Sequence, residues 1–225
     1  MDPVVANVAN VENMNPIVRA FTEGGTVMYV ILVIAVLSTV LIIERFLTLK
    51  SLRVDKKEFA DQIFRMIIGG DLRQAISFCD SKPTPLANTM KAGLVQAMNK
   101  RPDEEIQVAM DAAVMRETPR LEGWTSFLAV FGNIAVLAGL LGTIFGMIGS
   151  FRAVSKADPA TKAQLLSEGI SHALNCTGFG LMVAIAAIVF YGLFQHMIQK
   201  TENEMIESSM SLMNLIASNR DKMKD

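Results

Sequence analysis

Three stretches of this chain hold no acidic side chain and no Lys or Arg: Gly24 to Ile43, Gly123 to Phe151, and Gly169 up to Lys200. Each reaches the roughly 20 residues that a helix needs to cross a hydrocarbon core about 30 Å thick. A buried core helix would explain any one of them. Three in a 225-residue chain, set apart by charged segments, favour membrane spans instead. The expected fold class is all-α: an integral membrane protein with three transmembrane helices, two of them extending as long helices into a cytoplasmic helical domain.

The third run is faulted. From Phe179 to Phe194 it is almost wholly apolar, but its first third carries His172, Asn175, Cys176 and Thr177. Polar groups inside hydrocarbon cost free energy and are rare there without a role.

Charge sets the expected orientation, because Lys and Arg favour the cytoplasmic side of short loops. Thirteen lie between the first and second runs and four in the tail, against one before the first run and three in 152–168. Arg45, Lys50 and Arg120 flank spans directly. The reading is therefore a 1–23 external arm or surface helix, a 24–44 span, and a 45–122 cytoplasmic helical segment. A 123–151 span, a 152–168 external loop, a 169–194 span and a 195–225 cytoplasmic helical tail follow. The N-terminal residues lack the basic start of a cleavable signal peptide. Cys79 and Cys176 suggest neither a disulfide nor a metal motif.

Within 45–122, Phe59, Ile63, Phe64, Ile67 and Ile68 recur along one helical face that stops at Gly69-Gly70. Asp71 is placed to cap the next helix, and SKPTP breaks the chain before a third. Pro102 at a first-turn position, with acidic residues behind it, suits a helix start. With no Gly-rich linker following, 102–151 reads as one continuous helix, with Pro119 and Gly123 as bends. The third span likewise continues into the tail with helical spacing.

The second span carries Gly132, Ala135, Gly139, Gly142, Gly146 and Gly149 at intervals of three or four, with Thr143 beside them. The third span repeats the pattern more weakly in Ala173, Thr177, Gly180 and Ala184. Close helix packing accounts for most of the glycines. Thr143 lies nine residues before Arg152, and Thr177 nine after Glu168, so both sit about 13 Å inside the outer ends of their spans. Two readings are open: a polar belt of level hydroxyls, or two threonines each bonded to its own helix carbonyl. No Asp, Glu, Lys or Arg lies inside any span, so a titratable group for an ion path has to come from another protein.

These residues resemble the ExbB/TolQ/MotA proton-channel family, most closely its three-span ExbB/TolQ branch. The motifs are IIERFLTLK, GGDLRQAISFCDSKPTPLANTMKAGL, AGLLGTIFGMIGSF and GISHALNCTGFGLMVAIAAIVFY, which with the span order cover nearly the whole chain. The resemblance implies a homopentamer around a pair of ExbD/TolR-like single-span proteins that bring an aspartate into the pore. It implies pore-lining roles for Thr143 and Thr177, and with them Asn175 and His172 of the faulted third. Gly139, Gly142, Gly146 and Gly180 pack the helices. His172 stands where family members often carry Glu, Ala186 where they often carry Pro, and Gly192 where Asn is common. His172 either lines the outer mouth or snorkels to water.

The implied function is a proton channel or stator subunit of the bacterial inner membrane. It would turn proton-motive force into work on the cell envelope, in outer-membrane import or envelope maintenance, through a TonB-like or other envelope protein. The alternatives are a non-conducting membrane scaffold and a motor subunit for gliding or secretion. A solute transporter would show internal repeats and intramembrane charges. The chain carries no nucleotide-binding or catalytic motif, and a formal net charge of −1 offers nucleic acid no basic surface. It reads as a non-enzyme without cofactor or metal.

The charge bias makes a topology prediction. In intact cells, an impermeant maleimide should label an Asp158→Cys variant and leave Lys82→Cys unlabelled; the opposite pattern reverses the orientation.

Overall fold

The computed structural model describes residues 25–52 and 56–219. The expected arm over 1–23 and the last six residues of the tail lie outside the described residues. Among the described residues, seven helices follow in order: α1 (Gly25–Ser51), α2 (Lys56–Ile68), α3 (Leu72–Ser81), α4 (Pro85–Met98), α5 (Asp103–Glu122), α6 (Thr125–Lys156) and α7 (Lys162–Asn219). The all-helical class therefore holds. Stretches in Thr26–Ser51, Asp103–Lys156 and Lys162–Asn219 are long and apolar enough to cross a membrane. Only 22–28% of each apolar window is buried within the chain. Such a surface is unfavourable in water and suits lipid or further protein.

The chain divides into two compact units, one of residues up to Ile43 with Ser126–Tyr191, the other of Glu44–Thr125 with the chain from Gly192 onward. In the first, α1, α6 and α7 share a core around Ile34, Ala135 and Ala184, with Phe131, Val136, Ala138 and Val183 against it.

The second unit has its own buried apolar core. Phe59, Ile63 and Ile67 are buried along α2, with Ile68 left exposed at its end. The helix stops where Gly70 turns to φ +81° and the Asp71 N–H bonds back to the Met66 carbonyl, a pattern that only glycine enters without strain. Asp71 then caps α3 by accepting from the Gln74 N–H at 3.0 Å. Thr84 caps α4, accepting from the Ala87 N–H at 3.3 Å, with Pro85 in the first helical position. Burial, and secondarily the neighbouring Asp80, push the Cys79 thiol up to about 12, so it stays protonated and inert near neutrality.

Two expectations about 102–151 need correction. Pro102 caps the helix from outside rather than sitting in its first turn. The single helix is two, because α5 ends at Glu122 and α6 begins at Thr125. Pro119 lies inside α5 without ending it. The break is at Gly123, whose φ of +43° is open only to glycine. A side chain there would also run into the guanidinium of Arg45, which is itself buried. Arg45 bonds its Nε to Glu44 Oε2 at 2.7 Å. Its charge lies at the C-terminal end of α5, where the helix dipole favours a cation.

Gly123→Ala should accordingly lower the stability of the detergent-solubilised protein by about 1–3 kcal/mol, the usual cost of a non-glycine residue forced into such a backbone. Gly69→Ala is the control, since its new carbon meets only ordinary 3.4 Å contacts. Equal thermal unfolding of the two variants would contradict this account of the break.

Candidate ion-path site

The first unit brings the backbones of α6 and α7 into direct contact, and small residues are the reason. A carbon added at Gly180 would stand 2.5 Å from the Ala135 carbonyl oxygen. One added at Gly139 would lie 3.0 Å from the Cys176 carbonyl oxygen and 3.1 Å from Thr177 Cα. Gly142 meets the Cys176 side chain, and Gly146 meets Ala173. Gly132 continues the seam against Ile188 and Ala184. The stripe read in the sequence ends sooner than its spacing suggests, because nothing lies within 4 Å of a carbon placed on Gly149.

That close approach places two hydroxyls together. Thr143 Oγ1 and Thr177 Oγ1 are 3.0 Å apart. Thr177 Oγ1 also reaches across to the Gly139 carbonyl oxygen at 3.0 Å. Thr143 Oγ1 approaches the carbonyls of its own helix, Leu140 at 2.7 Å and Gly139 at 3.2 Å. The two readings of the threonines thus combine. Thr143 bonds its own turn, while Thr177 bonds the neighbouring helix and the other hydroxyl. A hydroxyl has one hydrogen to give and two lone pairs to receive. Two hydrogens therefore serve four contacts. Both side chains are half-buried, so this edge of the seam is covered only in part.

His172 and Asn175 do not join the pair. Asn175 precedes Thr177 by two residues, which puts it about 200° around the helix from it. His172 instead lines a cavity of about 570 Å³ with Thr26 and Val27 of α1, Ser150 of α6, and Glu168 one turn earlier on α7. The Ser150 hydroxyl donates to the Gly146 carbonyl at 2.8 Å. Glu168 accepts from Gln164 at 2.9 Å. The Glu168–His172 spacing was open to view in the sequence; the contribution of α1 was not, because it depends on tertiary packing. Among the described residues, no group of three or more His, Cys, Asp or Glu side chains is placed to hold a metal.

Chemically, the threonine pair can donate to an anion or receive from an acid, and it cannot itself titrate. No carboxylate of these two helices stands at its level.

Residues 81–207 match the model of the MotA/TolQ/ExbB proton channel family. The chain is 31% identical over 180 residues to the Tol-Pal system protein TolQ of Pseudomonas aeruginosa, across 75% of this chain and 76% of that one. It is 27% identical over 173 residues to the putative biopolymer transport protein ExbB-like 3 of Synechocystis sp., across 76% and 81%. In fold it resembles a solved structure of C. jejuni MotAB, with a TM-score of 0.65 at 18% identity over 94% of this chain and 84% of that one.

If the seam holds the hydroxyls together, Gly180→Ala should destabilise the protein by about 1–3 kcal/mol, as overpacking of a tight contact does. Gly178→Ala, which meets nothing within 4 Å, should be neutral or better. Thermal unfolding in detergent compares the two, and indistinguishable curves would argue against the seam.

Proposed function

Because this chain belongs to the MotA/TolQ/ExbB proton channel family, we propose that it is the channel-forming subunit of an inner-membrane stator. Several copies, five by the family resemblance, surround a pair of ExbD/TolR-like single-span helices that carry an intramembrane Asp. Protons entering on that Asp drive movement, which a TonB-like or other envelope protein turns into work on the cell envelope. The N-terminus is external, 45–120 and the tail are cytoplasmic, and 152–168 is external, as the basic residues suggest.

One observation carries this reading: the Thr143–Thr177 pair, 3.0 Å apart, in spans that contain no carboxylate. A carboxyl group buried mid-membrane is disfavoured in its charged form, so its pKa rises and it holds its proton. A hydroxyl that donates to the ionised form offsets this, and hydrogen bonds to charged groups are worth about 1.5–3 kcal/mol. At about 1.4 kcal/mol per pKa unit, one such bond lowers the carboxyl pKa by about one to two units. Thr177 is the better donor, because Thr143 already holds a 2.7 Å bond to the Leu140 carbonyl of its own turn. A charged acceptor forms a bond roughly twice as strong as the neutral ones that Thr177 now has. When the carboxyl is protonated, the same hydroxyl receives. The pair thus serves both states of a proton carrier, and H⁺ fits better than Na⁺ because no cage of carboxylates surrounds the site. His172 and Glu168 line the neighbouring cavity.

Thr177→Val keeps the shape and removes the donor. It should reduce driven function at least tenfold in a complementation assay, with Thr143→Val milder and Thr177→Ser largely active. Co-purification of the partner should be unchanged throughout. Full activity of the Thr143→Val, Thr177→Val double variant would return both residues to helix packing and leave a non-conducting scaffold as the better reading.

A further inference from the structure

The cavity beside His172 is separate from the threonine pair, since neither Thr143 nor Thr177 lines it. Thr26 and Val27 of α1 form one wall, and a face each of α6 and α7 form the others. Glu168 and Ala153 mark its outer end, Gly142 and Cys176 its inner one. The eight residues from Glu168 to Cys176 rise about 12 Å along α7. Half of a hydrocarbon core about 30 Å thick is roughly 15 Å. The cavity therefore runs from headgroup level through most of one leaflet.

Its volume of about 570 Å³ falls in the range of ligand sites, about 300–1,000 Å³. Thr26, Ser150 and His172 sit toward its outer half, and the Ser150 hydroxyl is spent on the Gly146 carbonyl. Deeper in, Val27, Phe145 and the glycine face of α6 offer water few hydrogen-bond partners. Lining atoms that face empty space lose their dispersion contacts. Gly149 shows this most plainly: it borders the cavity, and a carbon placed on it meets nothing within 4 Å. Three apolar helices thus leave a slot in their own packing that suits an apolar chain better than water.

The mouth is charged. Glu168 is exposed and is the only Asp, Glu, Lys or Arg among the lining residues. It accepts from Gln164 at 2.9 Å; a carboxylate has about four acceptor positions, so others remain to be filled. On α6, Lys156 lies three residues beyond Ala153 and seven beyond Gly149, which continues the cavity's face of that helix outward. A carboxylate at the mouth and a cation one turn above it complement a zwitterion.

We propose that this cavity holds one phospholipid of the surrounding leaflet, of the kind whose headgroup ends in a primary ammonium. The ammonium donates to Glu168, the phosphate lies toward Lys156, and one acyl chain runs down past Val27 along the glycine face of α6. A charge-assisted hydrogen bond of this sort is about twice as strong as a neutral one. A quaternary ammonium brings charge without an N–H, and an anionic headgroup brings repulsion from Glu168. A free amine lacks the chain that the apolar part of the cavity is shaped to take. The site needs only that the chain spans a membrane; the orientation proposed above makes the leaflet the external one.

The test uses the full-length chain, purified in mild detergent, stripped of lipid and exposed to equal amounts of phosphatidylethanolamine, phosphatidylcholine and phosphatidylglycerol. Native mass spectrometry counts the lipid retained per chain. Phosphatidylethanolamine should be retained at least tenfold over the other two. Glu168→Gln should erase that preference. Gly149→Leu should fill the cavity and abolish retention, while its thermal unfolding without lipid stays unchanged or improves, because leucine is the better helix former. Equal retention of the three lipids by the unaltered chain would overturn the headgroup assignment. Undiminished retention by Gly149→Leu would place the lipid elsewhere and overturn the site. No retained lipid at all would mean that protein, from this chain or a neighbouring copy, fills the space, and would overturn the proposal. The threonine variants test the ion path separately, and none of these outcomes bears on it.

Discussion

The hydroxyl of Thr177 reaches the Gly139 carbonyl only because no side chain stands between α6 and α7. In lipid, apolar burial does not drive helices together, since the tails are as apolar as leucine. What remains is contact and hydrogen bonding at short range. Glycine at 139 and 180 admits backbone against backbone, and that distance is what a threonine hydroxyl needs to bridge the helices. Packing and chemistry are here the same feature: any residue that widened the seam would also part the two oxygens.

Much of this was legible in the sequence, for reasons that differ by element. Three uncharged runs became three long apolar helices because hydrocarbon leaves the backbone few alternatives. The glycine stripe and the matched depth of Thr143 and Thr177 were readable because helical rise converts spacing into distance. Two of the four motifs that resemble the proton-channel family lie in the second and third runs, the other two in and beside the charged segment after the first, and the family assignment holds. Other features were not readable. Gly123 could be suspected of a bend, but the guanidinium of Arg45 that packs against it arrives from another helix far earlier in the chain. Asn175 seemed to share the setting of Thr177 because both fall in one polar patch; two residues of helix carry it to the other side. The cavity beside His172 needs Thr26 and Val27, and no local pattern links those positions.

In the second unit a buried carboxylate orients α5. Glu117 accepts from Asn88 at 3.1 Å and pairs with Arg120 Nη1 at 3.1 Å. A buried charge is tolerable only when it is paired in this way. Next to it, Thr118 holds Glu202 of α7. These polar ties fix which side of α5 turns inward, and so which side keeps Val108 and Met115 in the open. Each rotation of the helix about its axis is blocked by a carboxylate that would lose its partners.

The two threonines hold fewer hydrogens than they have acceptors, and this has a dynamic consequence. Thr177 can give its proton to Gly139 or to Thr143 at the same 3.0 Å separation. The arrangements are nearly degenerate, so neither is locked. Hydroxyl reorientation of this kind takes picoseconds to nanoseconds. Any larger motion of a stator is slower by orders of magnitude. The pair would therefore always be equilibrated with whatever carboxyl faces it, a passive reader of protonation that adds no delay of its own to the cycle.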